Sequence, residues 1–280
     1  MNQRREIMIK PDSLYVDSDK AVELMQDLYS FYRQKEIKDC LDLKGNYIPE
    51  NIIALYVYFV SCTNYQAIVE DYKAQYVENE SVVEPGVTKE EVEGIGAVYD
   101  YISTFDFTKG VPNIFVEGMK IHYKLYSKCP YPDYGGKLRD GQAMLTGCSY
   151  DVPTAAEASA YFQSFISKKY DINIEHILDY IDAVIVDTVS LIKVQPFSDG
   201  NKRTFRALLN LMLGKIGLPP VYIAKKERNV YKQCLTTAFE DNNYEPIKRF
   251  YYNKICDAII NLDVGKSLEE MKNKESKPIR

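Results

Sequence analysis

The chain lacks tryptophan, has only two histidines, His122 and His176, and contains no C-x-x-C pair. Its six cysteines, Cys40, Cys62, Cys129, Cys148, Cys234 and Cys256, are scattered without Cys/His ligand spacing, so no zinc site is expected. Free thiols in a reducing cytoplasm are the plain reading, and a cytoplasmic location is expected. Cys129 and Cys148 flank a hairpin signal and could pair, but nothing in the sequence favours that over chance. No apolar run reaches about 18 residues without a charge, so no membrane span is expected. Met1 to Lys10 carries charges but no apolar core of signal-peptide length. Basic residues do not exceed acidic ones: the net charge is −5 and the pI near 5.3. That balance argues against nucleic-acid binding through a broad basic surface.

What is present is the composition of a globular chain. At 280 residues it suggests one large domain, or a domain with an extension, able to bury a substantial core. The sequence is organised around Gln195-Pro196-Phe197-Ser198-Asp199-Gly200-Asn201-Lys202-Arg203-Thr204-Phe205-Arg206. Before it, Ile177 to Val194 is apolar on nearly every face and reads as a helix buried in a bundle. After it, Phe205, Leu208, Leu209, Leu211, Met212, Leu213 and Ile216 give a second helix from Asn201. Pro196 and Gly200 break the pattern between them.

That loop carries chemistry. A helix start leaves unpaired N–H groups and a partial positive charge, which suits an anion. Arg203 and Arg206 lie three apart, on one face, where two guanidinium groups can clamp phosphate oxygens. Asp199 is placed to hold a magnesium ion bridging phosphates. Together these argue for a di- or triphosphate. An Asp N-cap followed by two solvated arginines is the plainer reading of the same spacing.

The stretch resembles the Fic (Fido) motif, H-x-F-x-(D/E)-G-N-(G/K)-R-x-x-R. Phe197, Asp199, Gly200, Asn201, Arg203 and Arg206 match it, and the likeness runs from about Thr88 to Cys256. The resemblance implies a mainly α fold, a Fic-type helical bundle with a small β-hairpin flap. It implies transfer of AMP from ATP to a protein hydroxyl, with relatives that transfer phosphate or phosphocholine. It implies Mg2+ with ATP, the metal at Asp199 and the nucleotide phosphates on Gly200, Asn201, Lys202, Arg203 and Arg206.

The first position departs. The family uses a histidine there as general base; this chain has Gln195. An amide does not titrate near neutral pH and cannot take the proton of an attacking hydroxyl. Losing a general base costs about a hundred- to ten-thousand-fold in rate. Positioning and phosphate charge stabilisation survive such a change. Neither histidine is near the motif in sequence, and His122 sits in an apolar helical run. Lys202 replaces the glycine of most AMP-transferring members and matches the Doc branch, whereas Arg206 is typical of the AMP-transferring branch.

Three regions complete the reading. Residues 1–85 form an N-terminal extension: a polar arm, a helix over Lys20 to Lys35, and a second helix opened by Pro49 and running to about Val77. Many Fic proteins carry an inhibitory (S/T)-x-x-x-E-(G/N) helix whose glutamate pairs with the second motif arginine. In this chain Glu70 matches the glutamate, while Gln66 and Asp71 do not match the flanking positions. Glu78 to Val87, with Pro85-Gly86, reads as a boundary. Residues 86–256 form the Fic-like domain, with capping boxes at Thr88 and Thr154. Asp140-Gly141 within Lys137 to Leu145 is a hairpin signal. By resemblance, 137–146 is the flap on which a target protein docks, with Arg139 as its arginine. Residues 257–280 form a polar C-terminal helix and a lysine-rich tail. The reading is a nucleotide-binding Fic protein impaired in catalysis by Gln195. The alternatives are an active transferase using another base, or an interaction scaffold that binds no nucleotide.

Overall fold

The computed structural model describes residues 8–9, 14–15, 65–131, 134–145, 147–172 and 176–261. Two short strands, β1 (Met8–Ile9) and β2 (Leu14–Tyr15), pair antiparallel within the N-terminal arm. The remaining elements are helical: α1 (Tyr65–Val83), α2 (Lys89–Ser103), α3 (Ile114–Tyr126), α4 (Ala155–Ser164), α5 (Ile177–Val194), α6 (Asn201–Lys215), α7 (Arg228–Glu240) and α8 (Glu245–Asn261). The expected helices over Lys20 to Lys35 and Asp263 to Lys274 lie outside the described residues, as does the start at Pro49.

The centre is α6. Every residue from Arg203 to Lys215 is buried. Its apolar side chains pack against α5, α3 and α2, and the apolar faces of all these helices join one core. A fully buried leucine such as Leu208 contributes about 2 kcal/mol by leaving water. Two polar residues within α6 are tied to neighbouring backbone. The Asn210 side chain donates to the Val221 carbonyl and accepts from the Val221 amide, both at 2.8 Å. Lys215 Nζ donates to the Phe107 carbonyl at 2.9 Å. Gly217, at φ 80°, closes the helix with its own amide on Gly214 O and that of Leu218 on Leu213 O, a left-handed C-terminal cap.

Both capping boxes form. Thr88 Oγ1 accepts from the Glu91 amide while Glu91 returns a bond to the Thr88 amide, and Thr154 and Glu157 repeat the pattern. Helix α4 stops at Ser164, short of Lys169, because Asn113 draws the Phe165 and Ile166 carbonyls away to its amide. Cys129 and Cys148 are free thiols and do not pair.

Two expectations change. Of the Glu78 to Val87 segment read as a boundary, Glu78 to Val83 is the last part of α1, whose Tyr72, Tyr76 and Val83 are in the same core as the rest, and the chain turns only at Glu84 to Val87. The polar composition misled because Glu80 is turned inward onto a cation. The hairpin over 137–145 does not form among the described residues. Leu138 makes a single antiparallel bridge to Phe197 instead. A two-residue type I′ turn needs positive φ at both central positions, and neither Asp140 nor Gly141 has it.

Candidate functional site

Helix α5 ends at Gln195, which takes a left-handed conformation at φ 52°. Gly200, at φ 70°, then starts α6. Glycine is required there twice over. L residues avoid that φ, and a Cβ would lie 2.6 Å from Tyr126 Oη. The first helical bond of α6 runs from the Thr204 amide to Gly200 O. The amides of Asn201, Lys202 and Arg203 therefore have no carbonyl within the helix.

Asn201 fastens the loop. Its Oδ1 accepts from the Phe197 amide at 2.9 Å, and its Nδ2 donates to Phe197 O at 2.8 Å and to Gln195 Oε1 at 3.0 Å. Gln195 Nε2 donates to Ile192 O at 2.6 Å. Below the loop, the His122 ring stacks on Phe197 at 3.8 Å. Its Nδ1 accepts from the Gly136 amide and its Nε2 donates to Asp199 O. Those two bonds select the neutral Nε2–H tautomer. Burial pushes its pKa down to about 4, against the weaker opposing pull of the Asp199 carbonyl and carboxylate. The histidine remote in sequence is thus a neighbour in space, but both its nitrogens are occupied.

Above the loop is an open cavity of about 230 Å³. Gln195 and Asp199 to Arg203 form its floor, Glu84 to Val87 and Glu91 one wall, and Met144 and Leu145 another. The Asp199 carboxylate is mostly exposed, touched by Tyr126 Oη at 3.1 Å and weakly by Arg203. Arg203 is held by Glu91 Oε1 at 2.8 Å and by Tyr126 Oη at 3.1 Å. Lys202 Nζ stands 3.4 Å from Glu84.

Arg206 is placed differently from the sequence expectation. It is not on the cavity wall; it is buried one turn deeper, with Nε on Glu80 at 2.8 Å and Nη1 on Glu84 at 3.1 Å. Burial opposes its charge, but Glu80, the Tyr231 oxygen and Glu84 outweigh that and hold its pKa above the ordinary value. Burial likewise opposes the Glu84 charge, and Arg206 and Lys202 outweigh it, lowering the Glu84 pKa. Tyr231 lies under the Arg206 guanidinium, inside the core.

Among the described side chains, the glutamates on Arg206 are Glu80 and Glu84. The side chain of Glu70 lies outside the described ones; its position in α1 is ten residues before Glu80, about 15 Å along the axis. Arg139 is also not a docking group. Its guanidinium is buried and spent on carbonyls: Nε on Gln195 O at 2.6 Å, Nη1 on Gly141 O at 2.7 Å and Nη2 on Pro153 O at 2.5 Å. With its amide on Pro196 O at 3.0 Å, it clamps the 137–145 segment to the loop. Sequence reasoning missed Glu80, Glu84 and Tyr126. Glu91 carried a signal, but only as the capping-box residue.

A helix start opening into a cavity, with two cations and a carboxylate beside it, has a counterpart among known families. The Fic/DOC family model matches residues 117–213, which include the whole loop. Residues 117–213 belong to the Fic/DOC family. A protein adenylyltransferase Fic of Aedes aegypti is 29% identical over 163 residues, 57% of this chain and 31% of that protein. The Drosophila erecta protein adenylyltransferase Fic is 33% identical over 121 residues, 42% of this chain and 23% of that one. The chain thus spans about a quarter to a third of the length of these curated relatives. Among solved structures, C. elegans Fic-1 aligns with a TM-score of 0.59 at 16% identity, covering 88% of this chain and 75% of that one. A Fic-domain signalling protein of Bacteroides thetaiotaomicron gives 0.61 at 14% identity, covering 78% of this chain and 97% of that one. At those identities the likeness is one of fold. No helix among the described residues is long and apolar enough to cross a membrane.

Proposed function

We propose that the cavity over the α6 N-terminus binds the phosphate chain of a nucleotide, and that AMP transfer to a protein hydroxyl is impaired or lost. The observation that carries the binding half is the conjunction at the cavity floor: amides of Asn201, Lys202 and Arg203 without helical carbonyls, with Lys202 and Arg203 on the same wall. Relatives named as protein adenylyltransferases support a nucleotide as ligand. The impairment rests on Gln195, an amide where the family motif has its base. His122 does not substitute for it, because both its nitrogens are hydrogen-bonded below the loop.

Asp199 fits a magnesium ion carried by the nucleotide. Its carboxylate is exposed beside the cavity, and no cluster of three or more acidic, His or Cys ligands occurs among the described residues. Magnesium is commonly held by one or two carboxylates and the phosphates themselves; when bound it neutralises phosphate charge. Lys202 and Arg203 would supply the remaining positive field.

The same cations are covered in advance. Glu84 stands on Lys202 and Arg206, Glu80 on Arg206, and Glu91 on Arg203. We read Glu80 and Glu84 as an inhibitory pair, the part assigned to Glu70 from the sequence. A phosphate chain reaching Arg206 must displace Glu84 first.

Calorimetry with ATP and magnesium tests the binding half, and absence of both heat and thermal stabilisation in wild type and in Glu84→Gln would refute it. Incubation of Gln195→His with labelled ATP and cell lysate tests the other half. New labelled protein bands, absent with Gln195→His/Arg203→Ala, are the expected result. Equal labelling by wild type and Gln195→His would show that Gln195 does not limit transfer. The 137–145 segment remains the candidate docking surface for a target, through its backbone and the exposed Met144 rather than Arg139.

A further inference from the structure

We infer that Gln195 is a dedicated phosphate-binding donor, an N–H group aimed at the cavity from the place where the family motif has its base; this rests on the phosphate-site reading above. The orientation of its amide follows from its neighbours. The Phe197 amide is a donor only, so the Asn201 atom facing it at 2.9 Å is the oxygen Oδ1. The NH2 of Asn201 must then be the end facing Gln195 at 3.0 Å, and the Gln195 atom that meets it must be Oε1. The other end, Nε2, meets a carbonyl, Ile192 O, at 2.6 Å, which again requires a donor. Every link assigns the same direction, and reversing the Gln195 amide would set NH2 against NH2 and oxygen against oxygen.

An amide NH2 carries two hydrogens. One is spent on Ile192 O. The second has no partner among the described residues, and Gln195 is half-buried on the floor of the cavity beside Gly200 and Asn201. Its oxygen is already engaged by Asn201. Gln195 therefore presents a fixed donor rather than an acceptor, in line with the orphan amides at the α6 start. The preference of such a donor is an oxygen carrying negative charge, where hydrogen bonds are strongest. The left-handed conformation of Gln195, unusual for a non-glycine residue, is held by the amide of Gln195 on Leu191 O and by Arg139 on its carbonyl. Such strain is retained where surrounding contacts over-determine it. The substitution thus does more than delete a base: it turns the position into part of the anion cradle.

The test is ADP with magnesium, titrated calorimetrically into wild type, Gln195→Ala and Gln195→Glu. Gln195→Ala is expected to bind about tenfold more weakly, the loss of one hydrogen bond to a charged group. Gln195→Glu keeps the shape, places a carboxylate against phosphate, and is expected to bind more weakly still. Because either change loosens Asn201, a second readout uses unaltered protein. In 15N-labelled wild type, the Gln195 side-chain NH2 pair is assigned by its absence from Gln195→Glu. ADP is expected to move one of its two protons downfield while the proton on Ile192 O stays. Unchanged affinity in both variants, or a Gln195 pair unmoved at ADP saturation, overturns the donor assignment and leaves the cavity reading standing. No ADP binding by wild type or by Glu84→Gln overturns both.

Discussion

Arg203 and Arg206 are one turn apart on α6, and both are paired with glutamates that arrive from the N-terminal side of the chain. Their surroundings nonetheless differ in kind. Around Arg203 is a wall facing an open cavity. Glu91, Tyr126 and Asp199 share the guanidinium, and the Asp199 carboxylate is more exposed than buried. Around Arg206 is interior: Glu80 is as deeply buried as the arginine, and Arg206 Nη2 and Glu80 Oε1 have no partner among the described residues. Ligand exchange is open to the first arginine and closed to the second. A cation that lines an open cavity can trade one anion for another at modest cost, because a ligand entering the cavity replaces what is lost. A cation sealed with its counter-ion cannot, because each partner left behind is a bare charge in a low dielectric.

Deleting each arginine separates the two environments most strongly. Arg206→Met strands Glu80 inside the core and is expected to destabilise the fold by about 3–5 kcal/mol. Arg203→Met should cost clearly less, since Glu91 keeps its bond to the Thr88 amide at 2.8 Å and sits at the cavity edge. Urea unfolding of both variants gives the ranking. Equal losses would mean that the wall and the interior are electrostatically alike.

Gly200→Ala attacks the wall through its backbone. A left-handed alanine costs about 1–2 kcal/mol, and the new Cβ would press on Tyr126 Oη and the Leu125 side chain. Tyr126 is the hydroxyl that Arg203 and Asp199 share. The expected loss is about 2–3 kcal/mol with nucleotide binding weakened, whereas a variant as stable as wild type would show the loop relaxing freely. Unfolding curves and ADP titration read the two effects.

These residues also show what could be read from sequence and what could not. The α5–loop–α6 unit was legible because its signals are local: an apolar helix, a Pro-to-Gly break and a second apolar helix within forty residues or so. The capping boxes at Thr88 and Thr154 were legible for the same reason. The partner of Arg206 was not, because Glu80 lies 126 residues away and composition alone marked its segment as a boundary. Helix α1 continues through that segment because tertiary pairing absorbs its acids. Arg139 was read by its presence in a family position, whereas its role follows from which carbonyls reach it. His122, 77 residues from Asp199, carried no local sign that it supports the loop. The family motif located the site; long-range pairing decided what each member of it does.

His122 supplies a pH test of the wall. Its folded pKa is about 4, below the unfolded value of 6.5. A depressed folded pKa means that the unfolded chain takes the proton first, so the neutral histidine's contribution is intact above pH 6.5 and is lost as pH falls toward 4. At pH 5.5 the loss is about 1 kcal/mol, approaching roughly 3 kcal/mol below pH 4. His122→Gln, which can still accept from Gly136 and donate to Asp199, is expected to flatten the stability curve between pH 7 and 5.5. Urea unfolding at several pH values measures it, and an unchanged slope would mean that His122 titrates normally.

The smallest expected effect lies on the border between the two regions. Glu84 contacts Lys202, which lines the cavity, with one oxygen and Arg206, which does not, with the other. Glu84→Gln keeps the size and one acceptor but removes the negative charge from the cavity wall. Arg206 retains Glu80, so the interior should hold and stability should change by less than about 1 kcal/mol, as for a partly exposed pair. On the wall, an incoming phosphate no longer competes with a carboxylate for Lys202. ADP is expected to bind about fivefold more tightly, with the gain shrinking at high salt. If affinity rises and stability falls together by several kcal/mol, wall and interior act as one unit and the distinction between the two arginines fails. If affinity rises alone, Glu84 is the exchangeable anion of the site and Glu80 its fixed one.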